Sequence, residues 1–173
     1  MNLSDNVSMD ATLTVMVVPT DSRIPPFKHF EGKNKITNKA RAHLLHLAVD
    51  NPQVYEANPI TRFKVGSGGV AVVPTGAETD LYTEIVASGN YDDSLTSSYS
   101  SGDMMSTFSF QLGPDDCNGL DISEVGMFAD DNWMNNAANG KMFNIRTFPE
   151  VTKLASFSLS FVWRVNFSGV YSA

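Results

Sequence analysis

The chain has 173 residues, enough for one domain whose core needs neither disulfides nor metal. Its 12 basic residues are scattered among 19 acidic ones, for a net charge of −7, which disfavours direct binding to nucleic acid or to an anionic membrane. The single cysteine, Cys117, excludes an intramolecular disulfide and a cysteine-cluster metal site, and with no histidine near it in sequence it reads as a small residue in a strand or turn.

The N-terminus, MNLSDNVSMD, is acidic, and the apolar run LTVMVVP is stopped by Pro19 well short of a membrane span. No export signal is visible, so the protein is expected to be soluble where it is made, in a reducing cytoplasm. TLTVMVV alternates as a β-strand does. The segment after it, PTDSRIPPFKHFEGKN, carries Pro19, Pro25, Pro26 and Gly32 and reads as an extended arm joining that strand to a helix. The helix is expected in NKITNKARAHLLHLAVDNPQ: Ala40, Leu44, Leu47 and Ala48 form an apolar stripe, Thr37 or Asn38 serves as N-cap, and Asn51-Pro52 ends it.

ITRFKV then alternates as a strand and runs into GSGGVAVVPTG, Gly66 to Gly76. Its G-x-G-x-x-A spacing matches a dinucleotide-binding loop in letters only, because Val70, Val72, Val73, Pro74 and Gly76 cannot open the helix whose amides would face a pyrophosphate. No Lys-Ser or Lys-Thr follows, so a P-loop fails as well. Gly66, Gly68 and Gly69 are expected to shape a corner through positive φ and close backbone approach, and Leu81 of ETDLYTEIV to dock the returning segment on the core between Asp80 and Glu84.

ASGNYDDSLTSSYSSGDMMS reads as a long exposed loop or hairpin tip. Strands are expected again in TFSFQL, with Phe108, Phe110 and Leu112 on one face, in ISEVGMF, with Val125 and Met127 on one face, and in KMFNIRTF. The most regular strand is LASFSLSFVWRVNFS, which places Phe157, Leu159, Phe161, Trp163, Val165 and Phe167 together. Strands separated by Gly, Pro, Asn and Asp clusters argue for an antiparallel β-sandwich or barrel-like sheet with one covering α-helix.

Chemistry-bearing patterns are sparse. His43 and His46 stand three apart on the expected helix, but no third ligand accompanies them and nothing fixes the distance to His29. Asp115, Asp116, Asp121, Glu124, Asp130 and Asp131 are dense without the order of a calcium loop, and turn chemistry explains the same letters. No nucleophile elbow occurs. No cofactor, metal or catalytic residue is expected.

The order FKVGSGGVAVVPTGAETDLYTEIV, FSFQL, ISEVGMFADD and KMFNIRTFPEVTKLASFSLSFVWRVNF, preceded by ITNKARAHLL, resembles a module in structural proteins of tailed bacteriophages. The likeness spans about residues 36 to 167, and the order of the phrases carries it. Ile145-Arg146 departs from the Ala-Arg usual before Thr147-Phe148-Pro149, and the Ser-rich insertion is long. The resemblance implies a non-enzymatic virion component made in the host cytoplasm: an adaptor, collar or fibre-anchoring protein that contacts copies of itself and tail, neck or fibre components. A chain of this length is expected to connect parts rather than to reach the host.

The expected organisation is residues 1–35 as N-terminal strand and extended arm, then 36–173 as the attachment domain, one domain overall. TLTVMVV is expected to join the domain's own sheet, with the PPFKHF arm reaching a partner through Pro25, Pro26, Phe27 and Phe30. The alternatives are a head decoration (cement) protein, a host-glycan-binding β-sandwich presenting Trp133 or Tyr99, and a polysaccharide hydrolase using acids such as Asp130.

Overall fold

The computed structural model describes residues 7–38, 40, 60–69, 72–86, 96–100, 105–129 and 142–169. Period-two alternation is realised in eight strands: β1 (Val7–Pro19), β2 (Phe27–Ile36), β3 (Ile60–Gly66), β4 (Thr96–Ser100), β5 (Met105–Leu112), β6 (Asp121–Ala129), β7 (Met142–Thr152) and β8 (Phe157–Gly169). They form one sheet in the order β3-β6-β7-β2-β1-β8-β5-β4. Every pairing is antiparallel. The protein is mainly β, a curled half-barrel with almost no helix among the described residues.

The longest seam joins β1 to β8, unbroken from Val7 opposite Gly169 to Pro19 opposite Phe157. The register puts like with like: Leu13 faces Trp163, Val15 faces Phe161 and Val17 faces Leu159, all buried. By contrast β2 meets β7 only through Lys35–Ile145 and Ile36–Asn144. That short seam lets the sheet curl, so that β3-β6-β7 folds over β1-β8-β5. Phe63 of β3 stacks on Phe110 of β5 at 3.9 Å between ring centroids and meets Trp163 edge-on at 5.0 Å. Phe161 and Phe148 extend the aromatic core at 6.1 Å from each other.

The segment expected as an arm is divided. Residues 20–26 form the tip of the β1–β2 hairpin, and from Phe27 onward the chain is a strand paired with β1. The hidden pattern is F-x-G-x-N-x-I: Phe30, Gly32 and Asn34 pair with Val15, Leu13 and Ala11 on the inner face. Part of the Ser-rich loop is likewise β4, a polar edge strand on β5.

Of the expected covering helix, Thr37, Asn38 and Ala40 are described. Thr37 Oγ1 accepts the Ala40 amide at 3.2 Å, the bond an N-cap makes, and donates to the Met142 carbonyl at 2.7 Å. Residues 41–59, with His43 and His46, lie outside the described residues.

Candidate functional site

The phrases GSGG…PTGAETDLYTE and SEVGMF, far apart in sequence, meet on the outer face of the sheet. Residues 66–69 and 72–86 form a strap over β6 and β7, and β6 supplies its lock. Glu124 points out of the core yet is fully buried under the strap. Its Oε1 accepts the amides of Gly68 at 3.1 Å and Thr83 at 2.7 Å, and its Oε2 accepts that of Tyr82 at 3.0 Å. Charge-assisted bonds of this kind are about twice as strong as neutral ones. With both oxygens engaged by backbone donors, the carboxylate holds the loop in place.

The glycines make the close approach possible. A Cβ on Gly66 would collide with Glu124 Oε1 and the Thr83 carbonyl, and one on Gly69 would sit 2.5 Å from Thr147 Cγ2. One at Gly68 would lie 2.7 Å from Tyr82 Cβ. Positive φ is not the reason: among described glycines it occurs at Gly76 and Gly119, so the corner depends on missing side chains, not on left-handed backbone.

Further along the strap, T-G-A-E makes half of a capping box without a helix, its Glu reaching back to the Thr amide. Glu78 accepts the amides of Thr75 and Gly76, each at 2.7 Å, while Thr75 Oγ1 accepts the Ala77 amide at 3.2 Å. Tyr82 Oη donates to Glu78 at 2.9 Å. Partial burial would raise the Glu78 carboxyl, but the Thr75 amide and hydroxyl and the Tyr82 phenol outweigh it and hold the group at about 2. Tyr82 is pushed up to about 12, first by burial and then by its bond to Glu78.

Leu81 docks as expected between its two acids, but on the outer face, in a small cluster with Phe128, Met142 and Ile145. Gly126 lies beneath it, where a Cβ would come 3.2 Å from Leu81 Cδ2 and 3.1 Å from the Phe128 ring. Lys64 binds Glu84 at 2.9 Å and Asp80 at 3.5 Å, with its ammonium 4.9 Å from the Phe128 ring centroid. The strap also shields the outer edge of β3: Ser67 N–H donates to the Thr83 carbonyl and Ile85 N–H to that of Val65, both at 2.9 Å.

The acid-rich turn has a different use. Cys117 is buried in it with φ 53°, the left-handed region. Asp116 accepts the Gly113 amide at 2.7 Å, and Asp121 accepts the Thr152 hydroxyl at 2.5 Å. Lys153, buried beside this turn, donates to the Leu154 carbonyl at 3.0 Å, Asn118 Oδ1 at 3.3 Å and the Pro114 carbonyl at 3.4 Å. Burial pushes its ammonium down, opposed by Asp116, Cys117 and Asp115. Among the described residues no three potential ligands group to hold a metal.

The residues expected to reach a partner are separated by the fold. Pro25, Pro26 and Phe27 are exposed at the hairpin end, Phe27 to 52%. Phe30 instead turns inward against Phe148, at 6.1 Å between centroids, beside His29, whose Nε2 meets the Pro149 carbonyl at 2.9 Å. Ile24, 51% exposed, lies on the same tip. Leu154, also 51% exposed, is two residues before Ser156, whose carbonyl accepts the Thr20 amide at 2.9 Å. Sequence reasoning missed both Ile24 and Leu154, which the end of the β1–β8 seam and this contact bring to one end. Trp133, Asp130 and Asp131 lie outside the described residues, and Tyr99 sits in edge strand β4.

No family model matches the chain, and no curated protein or solved structure matches it either.

Proposed function

We propose that this chain is a non-enzymatic structural component of a tailed-phage virion, an adaptor, collar or fibre-anchoring protein that works through protein–protein contacts. The observation that carries the reading is the strap: the segments that bear the resemblance meet there, and their charged side chains are consumed in holding it. Glu124, Glu78 and Lys64 build a rigid surface and leave no acid–base pair free within it. The helix over residues 37–51 covers one end of the half-barrel in this reading.

Contacts with neighbours are made by the hairpin end, where Ile24, Pro25, Pro26 and Phe27 project with Leu154 alongside. Phe30 supports that end from within. The experiment is incorporation: an epitope-labelled copy, expressed in infected cells, is sought in purified virions by immunogold negative staining. Labels are expected at the tail or neck in a ring of copies. A double variant, Ile24→Ser with Phe27→Ser, should fold with little change in melting temperature and fail to incorporate. Labels on the head surface would favour a decoration protein, and absence of the folded protein from particles would sink the reading.

A further inference from the structure

Among the described lysines only Lys153 is fully buried. It stands in the connection between β7 and β8, against the turn that joins β5 to β6, and two backbone bonds clamp the segments together. The Gly119 N–H donates to the Lys153 carbonyl at 2.8 Å and the Lys153 N–H to the Leu120 carbonyl at 2.9 Å. The side chain then runs back into the turn. Its Nζ meets the Leu154 carbonyl at 3.0 Å, Asn118 Oδ1 at 3.3 Å and the Pro114 carbonyl at 3.4 Å, with the Phe157 ring centroid 5.3 Å away. No carboxylate forms an ion pair with it among the described residues.

An amine held against a carboxamide has a reaction open to it. Burial pushes the Lys153 ammonium down, and Asp116, Cys117 and Asp115 only partly oppose this, so the neutral amine is reached more easily than on an exposed lysine. A neutral amine keeps two N–H bonds and gains a lone pair. The Leu154 and Pro114 carbonyls are acceptors only and take the two N–H bonds, which leaves the lone pair in the third direction, toward Asn118. The carboxamide is fixed from its other side, where Nδ2 donates to the Pro114 carbonyl at 2.7 Å. These partners, an ammonium for Oδ1 and a carbonyl for Nδ2, set which end of the amide faces the lysine. Holding nucleophile and electrophile in contact is what a slow acyl transfer gains most from.

Asn118 precedes Gly119, and an Asn-Gly pair loses the same ammonia by another route, in which the glycine nitrogen closes a succinimide ring. Here that nitrogen is engaged, since its N–H donates to the Lys153 carbonyl. Lys153 Nζ is the nucleophile that faces the amide.

We propose that Lys153 and Asn118 form an intramolecular isopeptide bond. The Nζ lone pair attacks Asn118 Cγ, a proton passes from Nζ to Nδ2, and the bond from Cγ to Nδ2 breaks, so that one amide replaces another and one ammonia leaves. Asp116, the carboxylate that acts most strongly on the amine, is the group to carry that proton. Nothing is oxidised or reduced, and no co-reactant enters. Asn118 is exposed, so the ammonia escapes to water. The bond ties the β5–β6 turn to the β7–β8 connection beside Leu154, a closed loop that restricts the unfolded chain as a disulfide does.

The test is the mass of the full-length folded protein, incubated at neutral pH and then denatured. Once the initiator methionine is accounted for, it should be lighter than its sequence by one ammonia. Proteolysis should release a branched peptide joining Asn118 to Lys153, read by tandem mass spectrometry. Lys153→Arg keeps the charge without a comparable nucleophile and Asn118→Ala has no carboxamide, so both should show the full mass, with circular dichroism confirming that they fold. Asp116→Asn should slow the appearance of the lighter species by about tenfold or more, and an unchanged rate would strike Asp116 from the mechanism. The full sequence mass in the unaltered folded protein, a reading that needs no variant, overturns the proposal. So does a lighter species that persists in Lys153→Arg or gives no branched peptide, which is the succinimide at Asn118-Gly119.

Discussion

The strap and the inner face solve the same problem in opposite ways. On the outer face a buried carboxylate, Glu124, meets three backbone donors at 2.7–3.1 Å. On the inner face Asn34 Nδ2, Asn144 Nδ2, Arg146 Nε and Trp163 Nε1 are each buried with no acceptor among the described residues. A buried polar group that is satisfied within the chain works for the fold, while one left open is a cost to it. The contrast separates Glu124, a fastener whose oxygens are both engaged, from Arg146, whose Nε is buried without an acceptor beside the Phe30 ring.

The largest effects should come from the apolar frame on which both regions stand. Phe161 is fully buried between Phe148 and Trp163, and Phe161→Ala should cost about 3–5 kcal/mol by urea unfolding, enough to unfold a marginal domain. A midpoint that barely moves would mean that β8 presents the wrong face.

Next comes the lock. Glu124→Ala removes one acceptor group and orphans the Gly68, Tyr82 and Thr83 amides, for an expected loss of about 3 kcal/mol. Hydrogen exchange should show those three amides opening in Glu124→Gln while the β1–β8 seam stays protected, because the strap is held from outside the core. Uniform loss of protection would show that strap and core are one cooperative unit. Gly69→Ala tests the same closure sterically and should cost about 1–3 kcal/mol through its clash with Thr147 and Ser123.

How far these regions were legible depended on whether side-chain alternation was apolar. In β8 it is, from Phe157 to Val165, and the inner face could be read directly. In β2 the inward positions are Phe30, Gly32, Asn34 and Ile36, only two of them large and apolar, and Pro19, Pro25, Pro26 and Gly32 made the segment read as an arm. The strap's corner was legible from its glycines and Leu81, but not its lock, because Glu124 reaches amides 41 to 56 positions away. Bulges between Ile122 and Glu124 and between Met127 and Phe128 also break the simple alternation of β6. The orphaned donors leave no sequence signal at all, since each is an ordinary Asn, Arg or Trp until register turns it inward.

A smaller effect is expected from pH acting on the strap. Glu78 falls from its ordinary value of 4.5 to about 2 on folding, so its contribution is fully present above 4.5 and is lost as pH falls toward 2. Tyr82 rises from 10.0 to about 12, so its contribution is present below 10 and is lost as pH climbs toward 12. Solvent screens both, and about 1 kcal/mol or less should be lost at either end. Glu78→Gln should flatten the acid limb of strap opening, and Tyr82→Phe the alkaline limb. An acid limb unchanged in Glu78→Gln would place the titration elsewhere.

The smallest expected change is the sharpest test of the contrast between the two regions. Glu124 cannot be replaced by an apolar residue without stranding three amides, but Arg146 has no described partner to strand. Arg146→Met removes a buried donor with a positive charge and keeps much of the packing over Phe30. The change should therefore be neutral or slightly stabilising, within about 1 kcal/mol of the parent. Glu124→Met, the matching change on the outer face, should lose several times more. If both methionine variants are equally destabilised, Arg146 is satisfied within the folded chain after all, and the inner face is another fastener. If Arg146→Met alone is tolerated, the charge at 146 is not part of what holds the chain together, in contrast to the carboxylate of Glu124.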